Sequence, residues 1–598
     1  MAGLNVTGRL WRFHYPADDD VGGALPSGTI LKENVYGRIE QLKATQVLLE
    51  QGLELPEMFQ AFLYYTGDPL DIQNNDELEI YYPPISPFYN KGFRILGYRH
   101  SSHADIRRFV EVTMKRHVIS RSNTYQFQGG SPSDDAPIPA PAPPVNNDSN
   151  FGGSTGSMPP AVLTYYVASA GSDSADGLTP ATAWETLAKV NSLTLTPGTS
   201  ILFNRGDSWI GTVSLVVPTS GTALNYNYFG AYGTGANPII SRSDANYGIK
   251  TNAKSYTTFE NLDGVSGTRN YYVYDSPYTI IRNCSVVASV ADEGCIVIEG
   301  SGAGTSHHIS IINVTSDAQP GWAISVGSGI NVQQDSIEIR GCTITNIAGG
   351  GAVQHHGIYI KNCTNMDVQG NTITDPDRGA IKLVQDAGKT VSGRIRRNNL
   401  SGYGAGGSGA GISLDGITGS LIIDNNLIHD GLYNAGIYSL SASDNIKVYN
   451  NTIVRNYYGI ELLTGSAGWI VKNNIIVQDA AWLASSFRSC IKFEDETDIA
   501  NNTFDNNLYY HKNGAGTYDP LRKDNGGPIS LSAWQGLAGA PDQHSLSVDS
   551  KFMIAYTNLH IQTTSTAKDA GVDVVGISVD YDGVTLASPP DVGALQFV

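Results

Sequence analysis

The sequence has no apolar run long enough to cross a membrane. Its N-terminus, MAGLNVTGRLWRFHYPADDD, lacks the basic stretch and apolar core of a secretory leader. The expectation is a protein made in the cytosol that leaves, if at all, by a route other than secretion. Charge is scarce, at 16% of 598 residues. The five cysteines, Cys284, Cys295, Cys342, Cys363 and Cys490, are odd in number and show no CxxC spacing. That implies neither a disulfide framework nor a zinc site and predicts buried thiols. Positive charge is outweighed, 38 Lys and Arg against 56 Asp and Glu, giving −18. Residues 1–128 hold 13 against 15, so the remainder holds 25 against 41. A chain this acidic does not coat nucleic acid with its whole surface.

What is abundant is turn-forming residue: Gly 66 and frequent Asn, the composition of a β-rich protein. At this length more than one domain is expected. Residues 1–128 mix strand-like runs with one helix-like stretch near Ala44–Leu53. Residues 129–162 are Pro-rich, then Gly- and Ser-rich, and read as a flexible linker. From residue 163 the chain becomes repetitive.

One series reads GCIVIEG, WAISVGS, HGIYIKN, GAIKLVQ, GISLDG, GIYSLS, GIELLT and CIKFED. Its first isoleucines stand at 296, 324, 358, 381, 412, 437, 460 and 491. Spacings of 23 to 34 residues are too short for a βαβ unit and fit coils of short strands stacked on one another. About ten coils at roughly 4.8 Å each make a rod about 50 Å long. A second series, GNTIT, RNNLS, DNNLI, YNNTIV, KNNIIV and ANNTF, interleaves with the first. It predicts an asparagine ladder of Asn371, Asn399, Asn426, Asn451, Asn474 and Asn502, because Asn tolerates left-handed backbone and its amide bridges to the next turn.

The ladder, the entry segment TYYVASAGSDSADGLTPATAWETLAKVN and the exit GVDVVGISVDYDGVTLASPPDVGALQF resemble right-handed parallel β-helix proteins of the pectate-lyase-like superfamily. The expected fold is all-β: an N-terminal cap over 163–240, coils over 241–510 and a C-terminal capping region over 511–598. The superfamily includes lyases, hydrolases, epimerases and non-catalytic adhesins, so the resemblance implies fold more than activity.

With the marker isoleucine pointing in, the next residue points out. That builds an outer column of Val297, Ser325, Tyr359, Lys382, Ser413, Tyr438, Glu461 and Lys492, and two residues on a column of Glu299, Gly327, Lys361, Val384, Asp415, Leu440, Leu463 and Glu494. Tyr359, Lys361, Lys382, Asp415, Tyr438 and Glu461, with Trp482 from a long insertion, form a candidate glycan groove. His355, His356, Asp377 and Arg378 lie on turns just before it. The Asp386–Gly393, Gly402–Ala410 and Ala480–Ser489 insertions would wall it. Elimination from a uronate needs a base, Lys382 or Tyr359, and a cation against the carboxylate, Arg378. Hydrolysis needs two carboxyl groups about 5–5.5 Å or 6.5–9.5 Å apart. Asp415 and Glu461 would stand about 12 Å apart at Cα. An ordinary solvated sheet face is the alternative reading. The GSDSADG loop, with Asp173 and Asp176, offers oxygens to Ca²⁺ or forms a plain Asx turn. No other metal or cofactor is expected.

In residues 1–128 the alternating runs MFQAFLYY, DELEIYY, GFRILGYRH and FVEVTMK predict a small antiparallel barrel. Their order resembles the head-closure (stopper or neck) proteins of tailed bacteriophages. The resemblance implies a ring of six subunits contacting portal or adaptor and tail proteins, with Arg107, Arg108, Lys115 and Arg116 toward a DNA-filled lumen. The composite expectation is a virion protein, assembled in the host cytoplasm, with an outward β-helix that binds a surface polysaccharide. A trimeric tailspike depolymerase and a polysaccharide lyase or hydrolase are the alternatives.

Overall fold

The computed structural model describes residues 163–597, except 245, 266–268, 288–293, 303–304, 318–320, 328, 330, 348–354, 480–487, 514–515, 518–519, 524–527, 538–541 and 555–557, together with the backbone of six strands between residues 4 and 117. The chain divides into two units, Met1–Ala140 and Pro141–Val598. In the first, strands Leu4–His14, Ser27–Gln41, Met58–Tyr65, Glu77–Tyr82, Lys91–His100 and Arg108–His117 close into an antiparallel barrel. Arg108, Lys115 and Arg116 fall on its last strand, opposite Tyr65, Met58 and Phe93. Arg107, the expected helix near Ala44–Leu53 and the linker over 129–162 lie outside the described residues.

The second unit is a right-handed parallel β-helix of three sheets. The first sheet carries the isoleucine series on strands Gly294–Glu299, Trp322–Val326, Ile358–Lys361, Ile381–Val384, Ile412–Asp415, Ala435–Ser441, Tyr458–Leu462 and Ser489–Phe493. All eight marker isoleucines are in mutual register and fully buried. Each contributes about 2 kcal/mol of apolar burial. In the second sheet thirteen strands run in one continuous ladder among the described residues, about 60 Å of rod.

The residue before each marker is Cys295, Ala323, Gly357, Ala380, Gly411, Gly436, Gly459 or Cys490. Here the chain turns a corner into the first sheet, and the side chain faces the isoleucines of the third sheet. A Cβ on Gly436 would stand 2.5 Å from Ile453 Cγ2, and one on Gly459 would stand 2.2 Å from Ile476 Cγ2. At Gly436 and Gly459 the corner therefore has no room for a Cβ, while other coils fit Ala or Cys there.

The opposite corner, from second to third sheet, holds the amide ladder. Each backbone N–H of Asn371, Asn398, Asn426, Asn451 and Asn474 donates to the next side-chain Oδ1, at 2.9–3.0 Å, ending on Asn507. Each Nδ2 also donates to that oxygen. All six are buried. Two expected members need correction. Asn399 lies one residue past the corner, where its Oδ1 meets His429 Nε2 at 2.9 Å. Asn502 caps the short helix Glu496–Asn501 and accepts from the Trp469 N–H. The cysteines are all buried, with no disulfide among them; Cys284 and Cys342 follow left-handed Asn283 and Gly341 at the same corner.

At the N-terminal end Trp184, Leu187 and Val190 pack into the core, around the short helix Leu187–Asn191. Asp173 accepts from Glu185 N, Thr186 N and Thr186 Oγ1, and Asp176 from Leu178 N; both carboxylates serve turns. At the other end Trp534 packs on Phe493 and Phe504. The chain then runs back along the rod. Phe552, Leu559, Ile561, Val592 and Leu595 cover Leu427, Val454, Ile475 and Val477, outward residues of the third sheet. Residues 546–597 thus cover a flank as well as closing an end.

Asn451→Ala removes one rung amide and takes a buried partner from the Asn426 N–H and from the Ile423 and Tyr449 carbonyls. A loss of about 3 kcal/mol is expected in denaturant unfolding, against about 1 kcal/mol or less for Asn399→Ala. Equal losses would show that the ladder does not bear on stability.

Candidate functional site

The outer column is in the expected register: Val297, Ser325, Tyr359, Lys382, Ser413, Tyr438, Glu461 and Lys492 pair in turn. The second column departs from expectation at one point. A bulge between Leu414 and Asp415 pairs Asp415 with Ser441, so Leu440 leaves the column. The extra residue brings the Ser441 hydroxyl to Asp415 Oδ1 at 2.6 Å.

The column is not an open solvated face. Lys382, Glu461 and Lys492 are 7%, 5% and 6% exposed. Buried charges need partners, and these find different ones. Lys492 Nζ stands 2.8 Å from Glu461 Oε1 and also meets Glu494 Oε1. These two carboxylates outweigh burial and raise its pKa. Burial pushes the Glu461 carboxyl upward while the Lys492 ammonium opposes it. We take the pair as ionised, because two hydrogen-bonded acceptors surround one ammonium. Glu461 is therefore committed to an ion pair and does not complete a carboxylate couple with Asp415. Lys382 differs. Its ammonium is 3.9 Å from Asp415 Oδ2, and burial lowers its pKa against the pull of Asp415. Lys361 is tied to Asp386 at 2.8 Å.

Tyr359 stacks on Trp322, ring centroids 5.4 Å apart and 27° between planes, and burial pushes its phenol up to about 12. Tyr438, beside Glu461 and Glu494, is likewise pushed to about 12, chiefly by burial. Trp322 stands two residues before its marker isoleucine, as do His356 and Tyr458. The small corner residue between turns inward, so the residue before it emerges on the outer face beside the column. The signal, an aromatic before Gly or Ala and then Ile, was present in the sequence, but strict alternation hides it.

His355 and His356 are buried. The Gly379 N–H donates to His356 Nδ1 at 3.1 Å. Burial, then the Lys382 ammonium, push the His356 pKa down to about 3, so its imidazole is neutral. Arg378 bonds the Ser408 hydroxyl, and its Nε lies 3.9 Å from Asp377. The glycine-rich insertion over 402–410 is thus laid against 377–378, with Gly406 N donating to Asp377 O at 2.8 Å. Trp482 lies outside the described residues, as does most of its insertion. Among the described residues no cluster of three or more metal-ligating side chains occurs.

A family model described as right handed beta helix region matches residues 294–476. The comparison with curated proteins gave no match. Among solved structures, pectate lyase Pel9A is 15% identical, with 73% of this chain and 97% of that chain covered and a TM-score of 0.41. XylC in complex with xylose is 11% identical, covering 73% and 98%, at 0.48. An alginate lyase from Paenibacillus sp. str. FPU-7 is 14% identical, covering 52% and 98%, at 0.34. At such identities the likeness concerns the fold alone.

Lys492→Met strips the buried Glu461 of its counter-charge and should cost about 3–5 kcal/mol near neutral pH. In that variant the folded-state pKa of Glu461 rises further above its unfolded value. The deficit should therefore shrink as pH falls through the raised folded value, toward about 4.3 where the unfolded carboxyl titrates. Unfolding midpoints from pH 4 to 8, about that range, check this; a pH-independent deficit would assign the loss to packing.

Proposed function

We propose that the outer face of the first sheet binds an acidic polysaccharide and cleaves it by β-elimination at a hexuronate, with Lys382 as base. The observation that carries this reading is the state of Lys382: a buried amine with lowered pKa, one coil from Tyr359, which stacks on the Trp322 ring of the coil before. A desolvated lysine is a usable base near neutral pH, which an ordinary exposed lysine is not. Aromatic surface is what pyranose rings pack against, and trapped carboxylates and amines hold hydroxyls.

The step balances as follows. Neutral Lys382 Nζ takes the proton from C5 of the uronate. That electron pair forms the C4–C5 double bond as the C4–O4 bond breaks. The departing O4 takes a proton from water, and Lys382 later returns its own proton to solvent. Asp415, 3.9 Å away, stabilises the ammonium as it forms. The products are a new reducing-chain end and an unsaturated uronate, read by its ultraviolet absorbance. Tyr359, the other base candidate, is less suited, because a phenol pushed to about 12 is almost wholly protonated at neutral pH.

Wild-type protein incubated with polygalacturonate or alginate should generate that absorbance, and Lys382→Arg should lower kcat by about 10³-fold or more, since arginine stays protonated. The rate should rise with pH and level off at an apparent pKa below the usual lysine value of about 10.4. Unchanged turnover in Lys382→Arg would overturn the assignment of the base. Trp322→Ala should raise KM by about tenfold, a loss of roughly 1.4 kcal/mol, with kcat little changed; an effect on kcat alone would remove the stacking role.

The closed six-stranded barrel between residues 4 and 117 favours a second reading, in which this unit docks the chain on a phage particle. The native mass of the full chain tests it. A hexamer supports a neck ring, a trimer supports a tailspike, and a monomer overturns both.

A further inference from the structure

Among the described residues the three parallel sheets keep their register at every pairing but one, the bulge between Leu414 and Asp415. Without it Asp415 would lie against Leu440. With it the carboxylate meets Ser441, whose hydroxyl donates to Oδ1 at 2.6 Å. Bulges re-aim side chains and gather beside active sites, and the strand of Asp415 is the one paired with the strand of Lys382.

The bulge is held from inside the rod. The inward place two residues after the marker isoleucine is apolar on neighbouring coils, Leu383, Leu414, Leu462 and Phe493, and is Ser439 on this one. Ser439 and Ser443 both donate to the Ser441 carbonyl, at 2.8 and 3.0 Å. Ser439 Oγ also meets Ser466 Oγ at 3.0 Å, and the Ile417 N–H donates to Ser443 Oγ at 3.1 Å. Ser439, Ser443 and Ser466 are fully buried. Hydroxyls inside an apolar core are costly unless bonded, and these are bonded to one another and to the bulged segment.

The effect shows in three lysine–carboxylate pairs on this face. Lys361 and Lys492 stand 2.8 Å from Asp386 and Glu461, the length of a charge-assisted hydrogen bond. Lys382 stands 3.9 Å from Asp415 Oδ2, while the other oxygen is held by Ser441; that separation is beyond hydrogen-bond reach. The other charged and titratable groups around this amine and carboxylate are Tyr359, Tyr438, His356, Arg378 with Asp377, and the Lys361–Asp386 pair.

We infer that Ser441 is a positioning residue for Lys382: it draws the Asp415 carboxylate aside, so that the amine gives up its proton more readily than a closely paired lysine would. What this does for catalysis rests on the elimination reading above; the titration of the amine does not. Ser441 acts through Asp415 alone, and the buried serines fix the bulge that brings the two together.

The test follows the titration of Lys382 in the full chain by competitive acetylation with acetic anhydride across pH, read residue by residue by mass spectrometry. Ser441→Ala frees Asp415 to close on the ammonium, so the Lys382 titration should move up by about 1 pH unit, roughly tenfold in proton affinity. Ser441→Thr, which keeps the hydroxyl, should titrate as the wild type does. In an Asp415→Asn background the effect of Ser441→Ala should vanish, whereas a merely structural role for the serine would persist there. The pH profile of kcat for the unsaturated product should move with the acetylation curve. An unmoved Lys382 titration in Ser441→Ala, or a shift that survives Asp415→Asn, overturns the positioning role and leaves the base assignment standing. A wild type that forms no unsaturated product, with the Ser441→Ala shift present, overturns the elimination reading and leaves the positioning role standing. A Lys382 that stays unlabelled at every pH is closed to substrate as well and overturns both.

Discussion

From Asn371 to Asn507 the coils are tied by a row of side-chain amides inside one corner. Each ladder asparagine accepts from the backbone and side chain of the coil before it and donates in the same way to the coil after it. Its Nδ2 also reaches backbone carbonyls, as Asn426 does to Ile395 O and Asp424 O. A corner buried in a rod has no water to satisfy its backbone, so the amide must do it. Because the bonds run from coil to coil, they fix the step between coils and hence the register of all three sheets. Coil length is left free. That is why spacings from 23 to 34 residues coexist with an unbroken column of isoleucines.

The same geometry shows how far the fold can be read from residues alone. The corner has a grammar: a left-handed residue, then the ladder position, then one outward residue, then an inward apolar one. Asn425–Asn426–Leu427–Ile428 and Asn450–Asn451–Thr452–Ile453 follow it, with Asn425 and Asn450 at φ near 50°. In RNNLS the left-handed place belongs to Arg397, φ 53°, and the doublet is displaced, so Asn398 is the ladder residue and Asn399 its outward neighbour. Counting back two from the buried Leu400 identifies the right asparagine; counting asparagines does not. Asn502 defeats even that rule, because Thr503 and Phe504 follow it in the same pattern but on a strand of another sheet. The true partner, Asn507, comes five residues later. Upstream, Cys284 and Cys342 fill the ladder position, which makes RNC and RGC variants of the Asp424–Asn425–Asn426 pattern.

The candidate site was legible as a set of columns and illegible as an environment. Alternation places Tyr359, Lys382, Tyr438 and Glu461 on one line, and the ladder pairs them so. Alternation says nothing of depth, and depth is what turns an ammonium on a sheet into a desolvated amine. It also fails where the chain bends. At the corner before each marker, two successive residues cannot simply alternate, since the inner one must be small and inward. Trp322 and His356 then lie beside Tyr359 rather than in the core, where a flat strand would have put them. The bulge at Asp415 is a further local departure, and it adds the Ser441 hydroxyl to that carboxylate.

Lys382 and Lys492 show why position alone does not assign chemistry. They share a column, a side-chain type and nearly the same exposure. Two carboxylates meet Lys492, and its pKa rises. One carboxylate stands at 3.9 Å from Lys382, and burial prevails there. An amine in the first setting holds its proton and braces neighbouring coils. In the second, burial weakens that hold. What separates them is the balance between burial and the carboxylates that pull on each amine, and a parallel ladder makes that balance independent for each rung. The fold can thus hold one lysine in a double ion pair and, four coils earlier, another whose burial outweighs the pull of Asp415, without altering the backbone that carries them.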